Sequence, residues 1–443
     1  MNMLLSPALL ILLTLAVHAA PEPGSGATTP RPEMPLELTL QEAVSRALAH
    51  SPRLKQSEEI VIQQNHRVRE IKATRRPRLN ATGGYSQYDE DRLQDFGGSG
   101  EMDDTRWNAN LEASITVFSG GRHRHAVQGE LSRYAASERR FESRRQDLLA
   151  SIHKTYYDAE LAQDTIAVRE EAIAVLTEQR VFSDNRLKAD VGDRFDVLQA
   201  DVALSSARPP LIRAQNDYRR HLDRLRRLLG LQYPAGKDAN DIRLLAAPEP
   251  TTPAQDIEAA TQQAVAQRAE LAQRDALIIA ARHDLKVLRR EQAPTVDLFA
   301  GYGIENDQFG GDDIVGWAGG LRVNWDLWNG GLTGSRARQA TSRIRQLEHE
   351  KREIELQVSG EVRNAFYAYE EAVSILKSTV ESLAQAEEAL RLSRNRFEAG
   401  NGTQLDILES QYQLTQSKLE SSRARNTLQR ALVDIRRATG ILL

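Results

Sequence analysis

The feature that most constrains the fold of this chain is an internal duplication. The segment FSGGR at 118–122 returns as WNGGL at 328–332, a spacing of 210 residues, whereas Tyr85 matches Tyr302 at a spacing of 217. The spacing changes between Tyr85 and Trp107, and insertions of this kind occur in exposed loops. We therefore predict one structural plan that is written twice, with a longer loop in the first copy.

Each copy has the same order of segments. A helix leads to a Pro, an alternating strand, a polar loop and a second alternating strand, after which come a Gly pair, a very long helix, a Gly-containing turn and a returning helix. The predicted boundaries are repeat 1 at 36–230 (strands about 78–88 and 106–118, long helix 122–187, tip turn 188–195, return helix 196–230), a linker at 231–256, and repeat 2 at 257–443 (strands about 295–304 and 316–328, long helix 332–398, tip turn 399–404, return helix 405–440).

The long segment of the second copy has the apolar spacing of a coiled coil. Between Ile344 and Phe397 the apolar residues recur at intervals of three, four and seven, and Gly360 is the one helix breaker there. These intervals average close to 3.5 residues, the coiled-coil repeat. About 65 residues of helix would extend on the order of 100 Å at 1.5 Å per residue. This pattern alone is equally typical of a soluble, rod-like coiled coil.

The strand segments distinguish the chain from such a rod. From Trp107 to Val117 every second residue is apolar and the residues between them are polar, which is typical of a strand with one apolar face. Membrane strands have about 9–11 residues and carry aromatic residues at both interfaces. Because the four predicted strands contain every tryptophan of the chain, we predict that they cross a membrane. The predicted aromatic belt comprises Tyr85, Trp107, Tyr302, Trp317, Trp325 and Trp328.

Four strands cannot close a membrane barrel, because such barrels begin at eight strands and an open edge in lipid leaves unpaired backbone groups. The chain is therefore predicted to form an assembly of two, three or four copies, with eight, twelve or sixteen strands. The Gly pairs Gly120–Gly121 and Gly330–Gly331 are predicted to be the junctions where strand becomes helix, since glycine accepts unusual backbone dihedrals.

The N-terminus indicates export. Residues 1–20 contain an apolar run followed by small residues, which predicts a cleaved signal peptide, and 21–35 form a Pro/Gly-rich leader. The chain has no cysteine, so it is not lipidated on cysteine, and its formal net charge of −4 gives no indication of a nucleic-acid partner. The acid-rich segments 89–105 and 305–315 are predicted to be solvated loops, with a bound cation as the less common alternative.

In these features the chain resembles the TolC-like outer-membrane efflux proteins. The resemblance rests on the duplicated plan, the two Gly junctions, the segments ADVGDRFDVL and AGNGTQLDIL, and the opening LTLQEAVSRALAHSP at 38–52. It implies a mainly α fold with a small β part, in which a homotrimer forms a twelve-stranded barrel in outer-membrane lipid and a twelve-helix barrel in the periplasm. It also implies a non-enzymatic exit duct that passively conducts small molecules from an inner-membrane pump through a periplasmic adaptor protein.

The resemblance places the functional positions at the two helical tips. It matches the inward-facing acids of the family's pore constriction to Asp406 and Glu409, with Asp196 as the counterpart in repeat 1. Capping is an alternative role, because Thr403 to Asp406 fits a capping box and Asp196 suits a helix N-terminus. The turns matched to the adaptor-docking site, which also fit simple glycine turns between helices, are Asp190-Val191-Gly192 and Gly400-Asn401-Gly402.

The sequence departs from the family pattern at the tip and in one helix. Where some members hold the closed tip with a tyrosine and an arginine, this chain has Phe397 and Gly402, neither of which can make those side-chain hydrogen bonds. Arg194 in repeat 1 is a candidate substitute. The pair Pro209–Pro210 predicts a kink or break in the return helix of repeat 1.

Other function classes have less support from the sequence. There is no P-loop, HExxH, GxSxG or metal-spaced His/Asp cluster, so we expect no enzymatic activity, no cofactor and no metal. Three alternatives to a small-molecule duct remain: a type I secretion duct for polypeptides, a periplasmic coiled-coil scaffold without a pore, and a cation-binding surface protein.

Overall fold

The computed structural model of the protein describes residues 36–87, 105–233, 242–248, 256–306 and 314–441. The predicted signal peptide and leader, and most of the two acid-rich segments, lie outside the described residues. The helices are α1 Leu40–His50, α2 Pro52–Ala73, α3 Arg122–Lys188, α4 Arg194–Leu229, α5 Ile257–Gln267, α6 Ala269–Arg289, α7 Leu332–Glu398 and α8 Gln404–Thr439. The strands are β1 Leu36–Leu38, β2 Arg78–Gln87, β3 Thr105–Phe118, β4 Ile242–Leu244, β5 Thr295–Asn306 and β6 Ile314–Asn324.

The helices dominate the fold and occur in matching pairs. The long helices α3 and α7 each have 67 residues, and the return helices α4 and α8 each have 36. Both return helices end at a glycine with a left-handed backbone, Gly230 and Gly440. Among the described residues, no helix combines the length and the apolar composition that a membrane crossing requires.

Two helical hairpins, α3–α4 and α7–α8, form the body of the molecule, and α8 also packs along α3. Ion pairs lie along this second contact: Arg437 with Asp147 at 2.7 Å, and Lys418 with Glu171 at 2.7 Å. The two repeats are thus joined side by side, with the return helix of repeat 2 packed along the long helix of repeat 1.

The main apolar core of repeat 1 lies where the short N-terminal elements meet the hairpin. Leu38 of β1 packs with Ile152 of α3 and with Leu222 and Leu225 of α4, and all four side chains are fully buried. Repeat 2 has a smaller equivalent cluster, in which Val362 of α7 is fully buried. The short elements therefore cover the hairpins at mid-length and leave the hairpin tips uncovered.

The strand β4 lies inside the predicted linker and was not predicted. It pairs in parallel with β1, with Leu36 opposite Ile242 and Leu38 opposite Leu244. Alternation over only three residues is too short a sequence signal to identify a strand. The linker is thus partly ordered by pairing with the first described residues of the chain.

The second sheet is antiparallel in the order β2-β3-β5-β6. The predicted end of the last strand is wrong: β6 ends at Asn324, so Trp325 and Trp328 follow the strand instead of lying in it. Asn324 is paired with Thr295, the first residue of β5, and the residue before Thr295 is Pro294. Proline has no N–H group for the ladder, so the pairing stops there.

The return helix α4 is continuous through Pro209 and Pro210, so the break is not observed. A proline in a helix removes one backbone hydrogen bond and crowds the preceding turn. Here the neighbouring side of α4 packs along α3, where Ala200 and Ala214 are buried. Tertiary packing therefore keeps this segment helical despite the two prolines.

Candidate functional site

The register of the four-stranded sheet places its apolar residues on one face. Tyr302 lies opposite both Leu111 and Trp317, and Leu298 lies opposite both Ile115 and Leu321. This face is largely uncovered: Trp317 is 81% exposed and Leu321 is 66% exposed. An apolar face of this kind, about ten residues along each strand, has the dimensions and chemistry of a lipid-facing barrel wall.

The aromatic residues at the loop end of the sheet lie next to one another in pairs. Tyr85 on β2 is opposite Trp107 on β3, and Tyr302 on β5 is opposite Trp317 on β6. At the other end, Trp325 follows β6 and its Nε1 donates a hydrogen bond to the carbonyl oxygen of Gln292 at 3.0 Å. The belt residues therefore lie at both ends of the apolar face, although two of them are outside the strands.

The opposite face of the sheet is polar and glycine-rich. Thr116 Oγ1 donates to Asp297 Oδ1 at 2.6 Å between β3 and β5. The guanidinium carbon of Arg322 lies 4.7 Å from the ring centroid of Phe299, beside Gly320. A polar face behind an apolar one is the arrangement of a water-filled barrel interior.

Each strand–helix junction uses a Gly pair with positive φ. Gly120 and Gly121 have φ values of 59° and 80°, and Gly330 and Gly331 have 66° and 86°. Only glycine adopts these dihedrals without strain. At Gly120 there is a second requirement, because an added Cβ would lie 2.3 Å from Cβ of Ala293. These four glycines therefore have the unusual backbone dihedrals that the sequence predicts for the junctions.

The two tip turns are tight and have similar backbone patterns. In the first turn Asp190 has a φ of 57°, and in the second Gly400 has a φ of 75°. Val191 in the first turn is 64% exposed. A Cβ on Gly402 would lie 3.0 Å from the backbone nitrogen of Phe397, a tight contact that requires the turn to shift by a few tenths of an ångström. The turn therefore disfavours a larger residue such as arginine at position 402 in this conformation.

The acids near the tips have separate local roles. Asp193 is the N-cap of α4 and accepts a hydrogen bond from the backbone N–H of Phe195 at 3.1 Å, while Asp196 lies in the first turn of the helix. Thr403 and Asp406 form the predicted capping box, with the N–H of Thr403 donating to Asp406 Oδ2 at 2.8 Å. This hydrogen bond, followed by that from the Thr403 side chain, lowers the pKa of Asp406.

The outer carboxylates of the second tip are accessible to solvent. Asp406 and Glu409 are both exposed, and Glu409 Oε1 accepts a hydrogen bond from Gln413 Nε2 at 3.2 Å. Capping leaves Asp406 ionised and exposed, since the cap uses one carboxylate oxygen and neutralises no charge. Its local role is therefore compatible with a role in the pore.

Arg186, which the sequence did not single out, contacts Phe397 at the tip. Its guanidinium carbon lies 5.2 Å from the Phe397 ring centroid and 5.9 Å from that of Phe182, and the two rings meet edge to face. Its Nη2 also donates to the carbonyl oxygen of Val191 at 3.0 Å. This cluster, Phe182–Arg186–Phe397, joins the two hairpins, so Arg186, and not the candidate Arg194, is the arginine found over Phe397, where some family members have a tyrosine.

A buried glutamine provides a second link between the tips. Gln404, which is 3% exposed, donates through Nε2 to Ser183 Oγ at 2.6 Å and to the carbonyl oxygen of Asp196 at 3.2 Å. Nothing in the sequence distinguishes Gln404 or Ser183 from surface polar residues. Their role follows from helix packing across the two repeats, which a motif search does not detect.

Comparison with known proteins gives a consistent result. The sequence model described as outer membrane efflux protein matches residues 43–231 and 260–441, one match to each repeat. The outer membrane efflux protein BepC of Brucella suis is 24% identical over 409 residues, which cover 91% of this chain and 86% of BepC. The proteases secretion protein PrtF of Dickeya chrysanthemi is 22% identical over 318 residues, covering 71% and 69%.

A solved structure has the same fold. The outer membrane protein VceC from Vibrio cholerae matches with a TM-score of 0.74 at 18% sequence identity, covering 90% of this chain and 96% of VceC. The two family matches together extend over most of the chain, and they coincide with the two structural repeats described above. The chain belongs to the outer membrane efflux protein family.

Proposed function

We propose that the protein is the outer-membrane exit duct of a tripartite efflux system. In this proposal three copies form a twelve-stranded barrel in the outer membrane, and their helices continue it as a barrel through the periplasm. The duct conducts small molecules passively, because an inner-membrane pump, joined through a periplasmic adaptor protein, supplies the energy. The chain is exported with a cleaved signal peptide, and it performs no catalytic step.

The observation that most directly supports this proposal is that the four-stranded sheet has two open edges. β2 and β6 each have a neighbour on one side only in the part of the chain that the structure describes. Their other edges present unpaired backbone groups beside an exposed apolar face, and such groups are costly in lipid. A second chain that pairs with these edges removes the cost and extends the barrel. Head-to-tail pairing of β6 with the next β2 closes into a ring when the rotation per chain fits.

We propose three chains per barrel. Two chains would give eight strands, three would give twelve and four would give sixteen, and all of these are feasible barrels. The choice of three rests on membership of the outer membrane efflux protein family and on the resemblance described above.

The pore constriction is proposed to be formed by Asp196, Asp406 and Glu409. In a trimer these carboxylates would be repeated three times around the narrow end of the helical barrel. Rings of acidic side chains attract cations and resist close approach by like-charge repulsion. The Phe182–Arg186–Phe397 cluster and Gln404 hold the two hairpins together at this level, and we propose that they stabilise the closed tip against that repulsion.

The tip turns are the proposed docking surface for the adaptor. They include Val191, whose side chain is exposed, and Gly400 and Gly402, whose lack of a side chain keeps the second turn narrow. The turns lie at the end of the hairpins farthest from the sheet. They are therefore the part of the duct nearest to an inner-membrane pump.

A second candidate function is a type I secretion duct for polypeptides. It is favoured by the similarity to PrtF, whose name describes secretion of proteases. The two functions share one architecture and differ in the pump that supplies the cargo.

The first experiment measures the native mass of the mature protein extracted by detergent from the outer-membrane fraction. A particle of three chains, absent from the soluble periplasm, supports the duct. A soluble monomer or dimer contradicts it and favours a coiled-coil scaffold. Deletion of the gene in its host then separates the two cargo classes: sensitivity to small toxic compounds indicates efflux, whereas loss of a secreted protein with unchanged sensitivity indicates secretion.

A further inference from the structure

The two ends of the four-stranded sheet differ in charge. The segment that connects β2 to β3 in the sequence, residues 89–105, contains seven acidic residues and one basic residue. At the helix end, the four connecting segments 72–78, 119–126, 286–293 and 325–338 together contain eleven lysine or arginine residues and two acidic ones. The whole chain has a formal net charge of −4, so this concentration of cations runs against its overall composition.

The cations at the helix end are mostly accessible. Exposed arginines come from all four segments, and they are Arg75, Arg76, Arg78, Arg124, Arg289, Arg290, Arg336 and Arg338. Of the two acids, Glu291 is already paired with Arg336 at 2.6 Å. The surplus of positive charge therefore faces solvent in the single chain. We call this set of segments the junction surface.

Large apolar side chains lie beside these cations. Trp325, Leu327 and Trp328 follow β6 and are 60%, 73% and 84% exposed. Tryptophan is enriched where a bilayer changes from hydrocarbon to headgroups, because its ring is apolar and its N–H is polar. These residues therefore mark the depth of the headgroups at the helix end of the sheet.

The contacts of Trp325 place part of the cationic segment on the outer side of the wall. Trp325 continues the alternation of Leu321 and Val323, which lie on the apolar face. Its indole donates to the carbonyl of Gln292, two residues after Arg290. The apolar face and the segment that contains Arg290 therefore meet at the outer surface.

We propose that the junction surface binds the headgroups of anionic phospholipids in the periplasmic leaflet of the membrane. The inference rests on the proposed membrane duct and adds the class of lipid that the duct contacts. Arginine suits this role because its planar guanidinium donates two parallel hydrogen bonds to a phosphate, and its aliphatic stem lies along apolar surface. Clustered basic residues next to a membrane segment attract anionic lipids.

The test uses the tryptophans of the protein as reporters. In a W107F/W317F background, Trp325 and Trp328 remain, and both lie at the junction surface. The purified assembly is reconstituted in vesicles that contain either brominated phosphatidylglycerol or brominated phosphatidylcholine, and quenching of tryptophan fluorescence gives the relative association constant. We expect phosphatidylglycerol to be favoured by about 3–5-fold at low salt, and the preference to approach one at about 1 M salt.

Charge variants test the residues involved. R290Q/R336Q is expected to reduce the preference for phosphatidylglycerol by at least half, because Arg290 is two residues from Gln292, the hydrogen-bond partner of Trp325, and Arg336 lies in the segment that contains both reporters. The matched control is R139Q/R140Q, which removes two exposed arginines more than twenty ångströms away along α3 at about 1.5 Å per residue. Native mass before and after substitution verifies that the assembly is intact.

Equal quenching by the two lipids, unaffected by salt or by R290Q/R336Q, overturns the proposal while the membrane duct stands. A change in ion selectivity of the pore with no change in lipid preference also overturns it, because the cations then face the lumen. If neither lipid quenches the reporters, these tryptophans are not in the bilayer, and both the lipid inference and the proposed duct are wrong.

Discussion

At the tips of the two hairpins, one arginine contacts aromatic rings from both repeats. Arg186 lies over Phe182 on its own helix and over Phe397 on α7. The sequence indicated that Phe397 could not form the hydrogen bonds of a tyrosine, and this follows from its chemistry alone. It did not indicate Arg186, because the contact joins residues from different repeats and depends on how the hairpins pack. A residue's own chemistry is readable from sequence, but its long-range partner is not.

We predict that Arg186→Met loosens the closed tip. The methionine keeps the aliphatic packing but removes the cation–π contacts, which are worth about 1 kcal/mol in a partly exposed site. This corresponds to a roughly fivefold rise in the ratio of open to closed pores. The measurement is conductance of the purified protein in planar bilayers. Arg194→Met, at an exposed arginine of the same tip, is the matched control.

Equal conductance of Arg186→Met and Arg194→Met would contradict a role for this cluster in closure. If Arg194→Met alone opened the pore, the candidate named from the sequence would be the correct one, and the contact of Arg186 with Phe397 would be only structural.

The pKa of Asp406 makes a prediction about pH. Hydrogen bonds from Thr403 lower this pKa below the usual value of 3.8, so the carboxylate stays ionised as the pH falls from 7 to about 4. A cation preference that depends on Asp406 is therefore expected to persist to pH 4. Reversal potentials across a salt gradient measure this preference.

Asp406→Asn separates the charge from the cap. Asparagine can still accept the hydrogen bond from Thr403, so the helix end is retained while the charge is removed. We expect a severalfold loss of cation preference in this variant. Thr403→Ala loses the cap but keeps the charge, and it is expected to retain the preference. If the cation preference is lost in Thr403→Ala but retained in Asp406→Asn, then Asp406 acts as a cap and does not act on ions.

Among the elements, the strands show which structural features a sequence pattern predicts and which it does not. Alternation identified the apolar face, and the observed register places residues such as Leu298 and Leu321 together on it. The predicted end of β6 was wrong, because the end of this strand depends on its partner β5, where Pro294 stops the hydrogen-bond ladder. Helix ends were close because glycine and capping residues mark them locally. Of the kink or break expected at Pro209–Pro210, the break is wrong, because packing against α3 keeps the segment helical.

The lipid-facing assignment is tested by Val323→Asp. Val323 is 61% exposed on the apolar face, and a carboxylate there is expected to cost up to about 1 kcal/mol in the membrane, since it lies near the interface. The matched control is Ala318→Asp on the polar face of the same strand. The measurement is the fraction of each variant that reaches the membrane as a heat-resistant assembly. Unchanged insertion of Val323→Asp would show that the strand does not face lipid.

At the scale of the whole molecule, the open edges of the sheet make a prediction about assembly. The chain has no cysteine, so introduced thiols are specific reporters. Thr82→Cys on β2 and Ala318→Cys on β6 lie on the two free edges, and both side chains are exposed. Adjacent strands lie about 5 Å apart, so a short bismaleimide is expected to link β6 of one chain to β2 of the next.

The double variant is expected to give covalent species of up to three chains and none larger. Either single variant is expected to remain monomeric on a denaturing gel, because head-to-tail pairing never brings two identical edges together. Covalent dimers from Ala318→Cys alone would indicate a two-fold interface instead. A ladder extending beyond three chains would contradict a closed trimer.

The short ladder between β1 and β4 also determines when the chain can finish folding. Leu36, at the start of the described chain, pairs with Ile242, beyond the end of α4, and Tyr156 of α3 donates to the carbonyl of Leu38. This site cannot form until all of repeat 1 has emerged, and contacts between residues so distant in sequence form slowly. In the export that we propose, the N-terminal segment therefore remains without its partner strand until β4, which follows repeat 1 in the linker, has crossed the inner membrane.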